Sequence, residues 1–261
     1  MKNITFLTLL FILALCYHSN AQNDIRFGFQ LSPNLTWLST NDNTITREGT
    51  NIGLRLGVMG EYYFAERYAI TGGLGFAFGQ GGGLTHERGG NFFPNSALTN
   101  PNLNSGAGSL PDGVELGYQV QYIEIPLGLK LRTDEIGYLR YFAEVPVFTF
   151  SFRAQSKGAI FAPDISEENL DINKDITPVN ISWGVGGGIE FSITSNAVLI
   201  AGIYYNNNFI DLTRDRNAVT AIEFIDSGID PLDPSDDNFE TIPEDSNVNI
   251  GSITLRVGVL F

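Results

Sequence analysis

The chain has 261 residues with 29 Asp+Glu against 15 Lys+Arg, a formal net charge of −14 that excludes a nucleic-acid partner, because phosphate binding needs a basic face. Charged residues make up 17% and hydrophobic residues 43%, so the acidity is not that of a disordered tail. Glycine at 29, Phe at 19 and Tyr at 10, beside only 2 Met, suit many short strands and turns rather than a helical bundle.

Residues 1–21 read as a secretory signal peptide. Lys2 supplies the positive start, Ile4 to Leu15 the apolar stretch, and Ser19-Asn20-Ala21 a small-residue cleavage site before Gln22. The apolar stretch is too short for a membrane anchor. A lipoprotein reading would rest on Cys16, but Leu15 precedes it where a small residue is expected. The mature domain, 22–261, then holds no cysteine, which excludes disulfides and thiol catalysis. No later stretch approaches the length of a spanning helix. An exported chain of this kind is either soluble or a β-barrel of an outer membrane.

From Ile25 onward the hydropathy has period two, the mark of strands. Eight segments follow, at 25–39, 51–64, 67–79, 118–132, 137–152, 180–194, 196–212 and 247–261. In the second, Ile52, Leu54, Leu56 and Val58 alternate with Gly53, Arg55 and Gly57. The fourth sets Ile123, Ile125, Leu127, Leu129 and Leu131 against Glu124, Pro126, Gly128, Lys130 and Arg132. The last sets Ile253, Leu255, Val257, Val259 and Phe261 against Ser252, Thr254, Arg256 and Gly258. Short turns at Ala65-Glu66, Thr133 to Ile136 and Thr194 to Asn196 alternate with long loops at 40–50, 80–117, 153–179 and 213–246.

This asymmetry predicts an all-β fold: an eight-stranded antiparallel up-and-down transmembrane β-barrel with short periplasmic turns and long extracellular loops. A soluble sandwich also alternates. Against it stand a polar face that continues through all the segments, and aromatics gathered at segment ends. Tyr62, Tyr63, Phe64, Tyr68, Tyr138, Tyr141 and Phe142 lie near short turns; Trp37, Phe76, Phe78, Phe148, Phe150 and Phe152 lie toward the long loops.

Phe27 to Gln30, Gln121 to Leu127, Gly184 to Glu190 and the ending Leu255 to Phe261 resemble the PorT-like outer-membrane β-barrel family of Bacteroidota, over nearly all of the mature chain. The stretch Tyr122-Ile123-Glu124-Ile125-Pro126-Leu127 is the most specific part. The resemblance implies an integral outer-membrane protein of a Gram-negative cell, with no single activity attached. The member that names the family assists protein secretion. The terminal Phe261 resembles the signal by which the outer-membrane assembly machinery recognises barrels, so the expected partners are that machinery, outer-membrane lipids and secretion or surface partners.

Eight strands leave an interior that side chains fill. The alternation sends Arg55, Glu61, Glu124, Lys130, Arg132, Arg140, Glu144, Glu190 and Arg256 into it, with inward glycines such as Gly57, Gly73, Gly186 and Gly188 making room. This set reads as a salt-bridged plug rather than a solute pathway. A symmetric turn at Thr133 to Ile136 sets Lys130 opposite Arg140, so an acid such as Glu61 or Glu190 is expected within reach of both. Pro126 and Pro146 each predict a bulge or a break in pairing, and a slip at Pro146 would return Phe148, Phe150 and Phe152 to the lipid side.

The loops suggest no chemistry. Gly79-Gln80-Gly81-Gly82-Gly83 lacks a Gly-Lys-Ser/Thr ending and reads as a flexible loop start, not a phosphate loop. The carboxylates of 213–246 match no calcium-loop spacing and read as a solvated acidic loop, with Ca²⁺ binding as the alternative. After signal removal His86 is the only histidine. Adjacent Glu87 is poorly placed to orient it, and it reads as an exposed loop residue. One histidine and no cysteine cannot build a zinc site. The expectation is a non-enzymatic barrel with no cofactor or metal, the alternatives being an accessory component of a secretion machine or an enzyme with loop-borne catalytic residues.

Overall fold

The computed structural model describes residues 25–96, 98, 110–194, 196–214, 218–224 and 239–261; the predicted signal peptide lies outside them. The strands are β1 (Ile25–Thr40), β2 (Ile45–Glu48), β3 (Asn51–Ala65), β4 (Tyr68–His86), β5 (Val114–Arg132), β6 (Leu139–Ala162), β7 (Ile165–Asp171), β8 (Val179–Ser192), β9 (Val198–Asn208), β10 (Val219–Phe224), β11 (Phe239–Pro243) and β12 (Val248–Leu260). Eight of them close a ring in the order β1–β3–β4–β5–β6–β8–β9–β12, each antiparallel to both neighbours. At the seam β12 pairs with β1 from Gly28↔Leu260 to Thr40↔Val248. Phe27 and Phe261 extend it with two backbone bonds of 2.8 and 3.2 Å. The ring strands are the eight predicted segments.

The alternation makes the ring a barrel with an apolar outside. Along β1, Leu31 and Leu35 face out while Ser32, Asn34 and Thr36 are buried within. Ile52 is 82% exposed and Phe27 65%, and they belong to a continuous band of outward Leu, Ile, Val and Phe. A water-soluble protein does not carry an apolar surface of that extent. Tyr62, Phe64, Tyr68, Tyr138 and Tyr141 are exposed near the short turns, as a membrane-interface belt requires. Tyr63 and Phe142, expected among them, are instead buried in the lumen, because their parity along β3 and β6 is the inward one.

β4, β5 and β6 run to 19, 19 and 24 residues, well beyond the roughly 9–11 that a tilted strand needs to cross a bilayer. Their far ends continue above the lipid band, flanked by β2 on β4 and β7 on β6. Here the inward face is apolar: Leu38, Leu84, Phe93, Leu116, Ile160, Ile172 and Ile176 are buried in one cluster. Much of the predicted long loops at 80–117 and 153–179 is therefore an ordered cap. The run Gly79 to Gly83 lies in β4 rather than in a flexible loop. It holds a bulge between Ala77 and Gln80, with Gly79 at φ 68° and Gly81 at φ 133°. A Cβ at Gly81 would sit 2.2 Å from the Tyr118 carbonyl oxygen, so only glycine lets the two strands close.

Pro146 sits at the predicted slip. The register shifts between Glu144 and Val147 against β8, and between Gly128 and Lys130 against β5. Beyond it Phe148, Phe150 and Phe152 face outward while Thr149 and Ser151 are buried. Pro126 breaks the pairing without adding a residue. The β4–β5 ladder lapses between Gly72↔Leu127 and Gly75↔Glu124 and resumes in the same register.

Candidate functional site

Inside the ring the charges stack in three tiers. Nearest the short turns, Lys130 is wholly buried, with Nζ 2.5 Å from Glu61 Oε1 and 2.5 Å from Glu190 Oε1. Tyr63 donates its hydroxyl to Glu61 Oε2 at 2.6 Å. Arg26 and Arg132 approach Glu190 Oε2 at 3.5 and 3.7 Å. The Arg132 guanidinium lies 3.8 Å over the Tyr63 ring, and the Lys130 ammonium 4.4 Å over Phe142. Two carboxylates thus share one ammonium inside a ring of further cations and aromatic faces, which is how buried charge is made tolerable.

In the middle tier Arg256 Nη1 donates to both Glu144 oxygens, at 3.2 and 3.1 Å, and its guanidinium stacks 3.7 Å over Tyr204. Gly186 makes this possible, since a Cβ there would fall 2.0 Å from the Tyr204 ring. In the upper tier Arg55 Nε meets Glu124 Oε2 at 3.2 Å, and its other nitrogens donate to Thr254 at 2.8 Å and to Gln80 at 3.3 Å. Asn34 donates to the same Gln80 oxygen at 2.8 Å. Between the middle and upper tiers a cavity of about 30 Å³ is lined by Gln30, Ser32, Arg55, Glu124, Tyr204 and Arg256, among others. That is room for about one water molecule.

Of the nine residues expected in the lumen, Arg55, Glu61, Glu124, Lys130, Arg132, Glu144, Glu190 and Arg256 join these tiers. Arg140 does not. It sits beside the short turn, bonded to Glu135 and, at 3.4 Å, to Ser192. Nor does it face Lys130, whose register partner is Glu144. The hairpin actually turns about Gly137, at φ 70°, with an Ile136–Leu139 bridge, so the centre of symmetry lies further along the chain than a turn at Thr133 to Ile136 would put it. Among the members outside that set, one charge and one aromatic stacking partner stand out. Arg26 is marked by its alternation with Phe27 and Phe29, and Tyr204 by its place opposite Gly186 in the β8–β9 register.

His86 ends β4 and is 4% exposed, not a loop residue open to solvent. Its ring centroid is 4.0 Å from that of Phe92, and Nε2 has no hydrogen-bond partner among the described residues. Burial holds its imidazole down to about 4 from the usual 6.5. It is a packed member of the cap, and among the described residues no hydrogen-bonded acid orients its ring. Of the acidic loop, residues 215–217 and 225–238 lie outside the described residues, so the calcium question falls there. Among the described residues no group of three or more His, Cys, Asp or Glu stands together as a metal site.

A closed eight-stranded ring, apolar outside and ion-paired inside, defines an integral outer-membrane β-barrel protein. The family model described as "Outer membrane protein beta-barrel domain" matches residues 20–214, and the chain belongs to that family. A comparison with curated protein sequences finds no match. Among solved structures the chain is similar to Neisserial surface protein A, at 12% identity and TM-score 0.39, covering 90% of this chain and 95% of that one. It is similar to Ail, the attachment invasion locus protein of Yersinia pestis, at 13% identity and TM-score 0.35, covering 91% and 99%. It is also similar to the outer membrane protease OmpT of Escherichia coli, at 9% identity and TM-score 0.38, covering 92% and 97%. At such identities the likeness is one of architecture and carries no activity with it.

Proposed function

We propose that this protein is a non-enzymatic, non-conducting outer-membrane barrel, in which the lumen is a structural plug and the extracellular side serves binding or structural roles. The observation that carries the reading is the lumen itself: three tiers of ion pairs, with a gap between the middle and upper tiers of about 30 Å³ that admits about one water. The lumen sets Arg26, Arg55, Lys130, Arg132 and Arg256 against Glu61, Glu124, Glu144 and Glu190, so it holds one positive charge in excess and all of the chain's net negative charge is carried outside it. That leaves an acidic exterior for partners. In the same reading the signal peptide is cleaved after Ala21, the assembly machinery reads Phe261, and membrane lipids surround the apolar band.

A finer reading, membership of the PorT-like barrels and an accessory part in a secretion machine, is supported by the resemblance of the four segments named above, of which the Tyr122 to Leu127 stretch is the most specific. The two are separated by purification from the native membrane, since the accessory reading requires secretion components to co-purify.

The plug reading is tested by planar-bilayer recording on the refolded mature chain. The expected result is no steady conductance in the wild type. A stable open channel in the wild type would overturn it.

A further inference from the structure

We propose that the lipid-facing wall holds a groove for one acyl chain of a periplasmic-leaflet phospholipid, formed where Gly60 of β3 and Gly72 of β4 stand side by side. The inference rests on the reading of the outer surface as lipid-facing. Nearly every outward position on β1, β3 and β4 carries a bulky apolar side chain. One register row departs from this: Phe27, Gly60, Gly72 and Leu127 are paired across four strands, and the two central members have no side chain. The result is an open apolar cleft of about 710 Å³, walled by Phe27, Phe29, Val58, Ile70, Leu74 and Leu127.

The backbone does not require these glycines. Neither has a positive φ. A Cβ at Gly60 would meet the Phe27 ring at 3.3 Å and at Gly72 the Leu127 side chain at 3.4 Å, with the nearest backbone oxygens at ordinary contact distances of 3.7 and 3.8 Å. The inward Gly57 and Gly73 differ, because a Cβ there would lie 2.4 and 2.6 Å from backbone oxygens of the neighbouring strand. Glycine in a strand interior forgoes packing and costs chain entropy. What the outward pair supplies in return is the hollow.

Its dimensions and place select the occupant. From Tyr62 to Val58 the groove runs about 14 Å along the strand, which at a tilt of about 40° spans about 11 Å of depth, within the ~15 Å hydrocarbon depth of a single leaflet. It lies at the short-turn end, beside the Phe64 and Tyr68 belt, hence in the periplasmic leaflet. The side chains that wall it are apolar, and Thr71 at its floor is turned inward. Glu61, beneath it, is turned inward to Lys130. A methylene chain fits such a slot, and a headgroup does not.

The test is native mass spectrometry of the mature protein, exchanged in mild detergent into one defined phospholipid, dioleoyl phosphatidylethanolamine. The expected result is one retained lipid per barrel, lost in G60L/G72L and partly retained in G60A/G72A. On the wild type, the same lipid with a photoreactive group on its acyl chain should mark residues 58–62 and 70–74. No retained lipid and no labelling of these segments in a protein that shows a folded band on an unheated gel would overturn the groove and leave the barrel standing. A wild-type dimer that G60L/G72L dissociates would assign the hollow to a second copy and equally overturn it. Absence of the folded band in the wild type would instead remove the lipid-facing reading on which the groove rests.

Discussion

Lys130 concentrates the electrostatics of the lumen on one atom. Its ammonium is the direct partner of two buried carboxylates, while Arg26 and Arg132 reach only Glu190 and at longer range. Replacing it by Met keeps the length and leaves Glu61 without a cation, so K130M should lower stability by about 3–5 kcal/mol. The midpoint of urea unfolding in lipid vesicles measures this. A change below about 1 kcal/mol, the value of a surface pair, would mean the plug does not hold the barrel. His86 makes the opposite demand, since it is packed as a neutral ring. Its imidazole is held to about 4 in the fold, against 6.5 when unfolded. Folding therefore gains full benefit above about pH 6.5 and loses it as pH falls toward 4, amounting to about 2 kcal/mol by pH 5. Asp42, whose charge favours the protonated ring, opposes this only in part. Hydrogen-exchange protection in the cap strands, referred to the intrinsic exchange rate at each pH, should fall from pH 7 to pH 5 in the wild type and hold level in H86F. The charges of the tiers other than Arg26 were legible in the sequence because parity alone sends them inward. Arg140 was misplaced because the turn that sets its register has its glycine at 137, outside the span read as the turn. The burial of His86 was hidden because its partner Phe92 comes from beyond the strand.

At the level of elements, β5 shows how one strand crosses from one solvent regime to another. Through Val114, Leu116, Tyr118, Val120 and Tyr122 the apolar set is inward, packed in the cap. From Ile123 through Ile125 and Leu127 it is outward. The parity of the apolar residues changes while the inward parity of the strand does not, since Glu124 still faces the lumen. Water surrounds the first part and lipid the second, so the apolar face moves from the inside to the outside. That inversion was readable in the alternation, but reading the span 80–117 as a loop concealed it. β6 achieves its own change of phase differently, by inserting a residue at Pro146. Single cysteines in the mature chain, otherwise cysteine-free, test both. A membrane-partitioning thiol reagent should label F150C and I123C and leave T149C and L116C unmodified. Labelling of T149C in place of F150C would place the bulge elsewhere.

For the whole molecule, closure decides what the barrel can withstand. Each ring strand has a partner on both sides, and the seam adds the bonds of Phe27 and Phe261 to the β1–β12 ladder. No ring edge is left from which pairing could unravel. Opening the ring means breaking one ladder along its length in a medium that offers no water to the freed groups. The barrier to unfolding is accordingly large, and stability becomes a matter of rate. The tiers reinforce this by tying strands across the lumen: Glu144 on β6 to Arg256 on β12, and Lys130 on β5 to Glu61 on β3 and Glu190 on β8. Such a molecule should stay compact in dodecyl sulfate until boiled. The mature chain from an outer-membrane fraction is expected to give a fast-migrating band unheated and a slower one after boiling. K130M should make the conversion at a lower temperature, because it cuts the ties between β3, β5 and β8 without touching the seam. If K130M converted at the wild-type temperature, the ladders alone would set the barrier, and the charges would serve to fill the lumen rather than to fasten it.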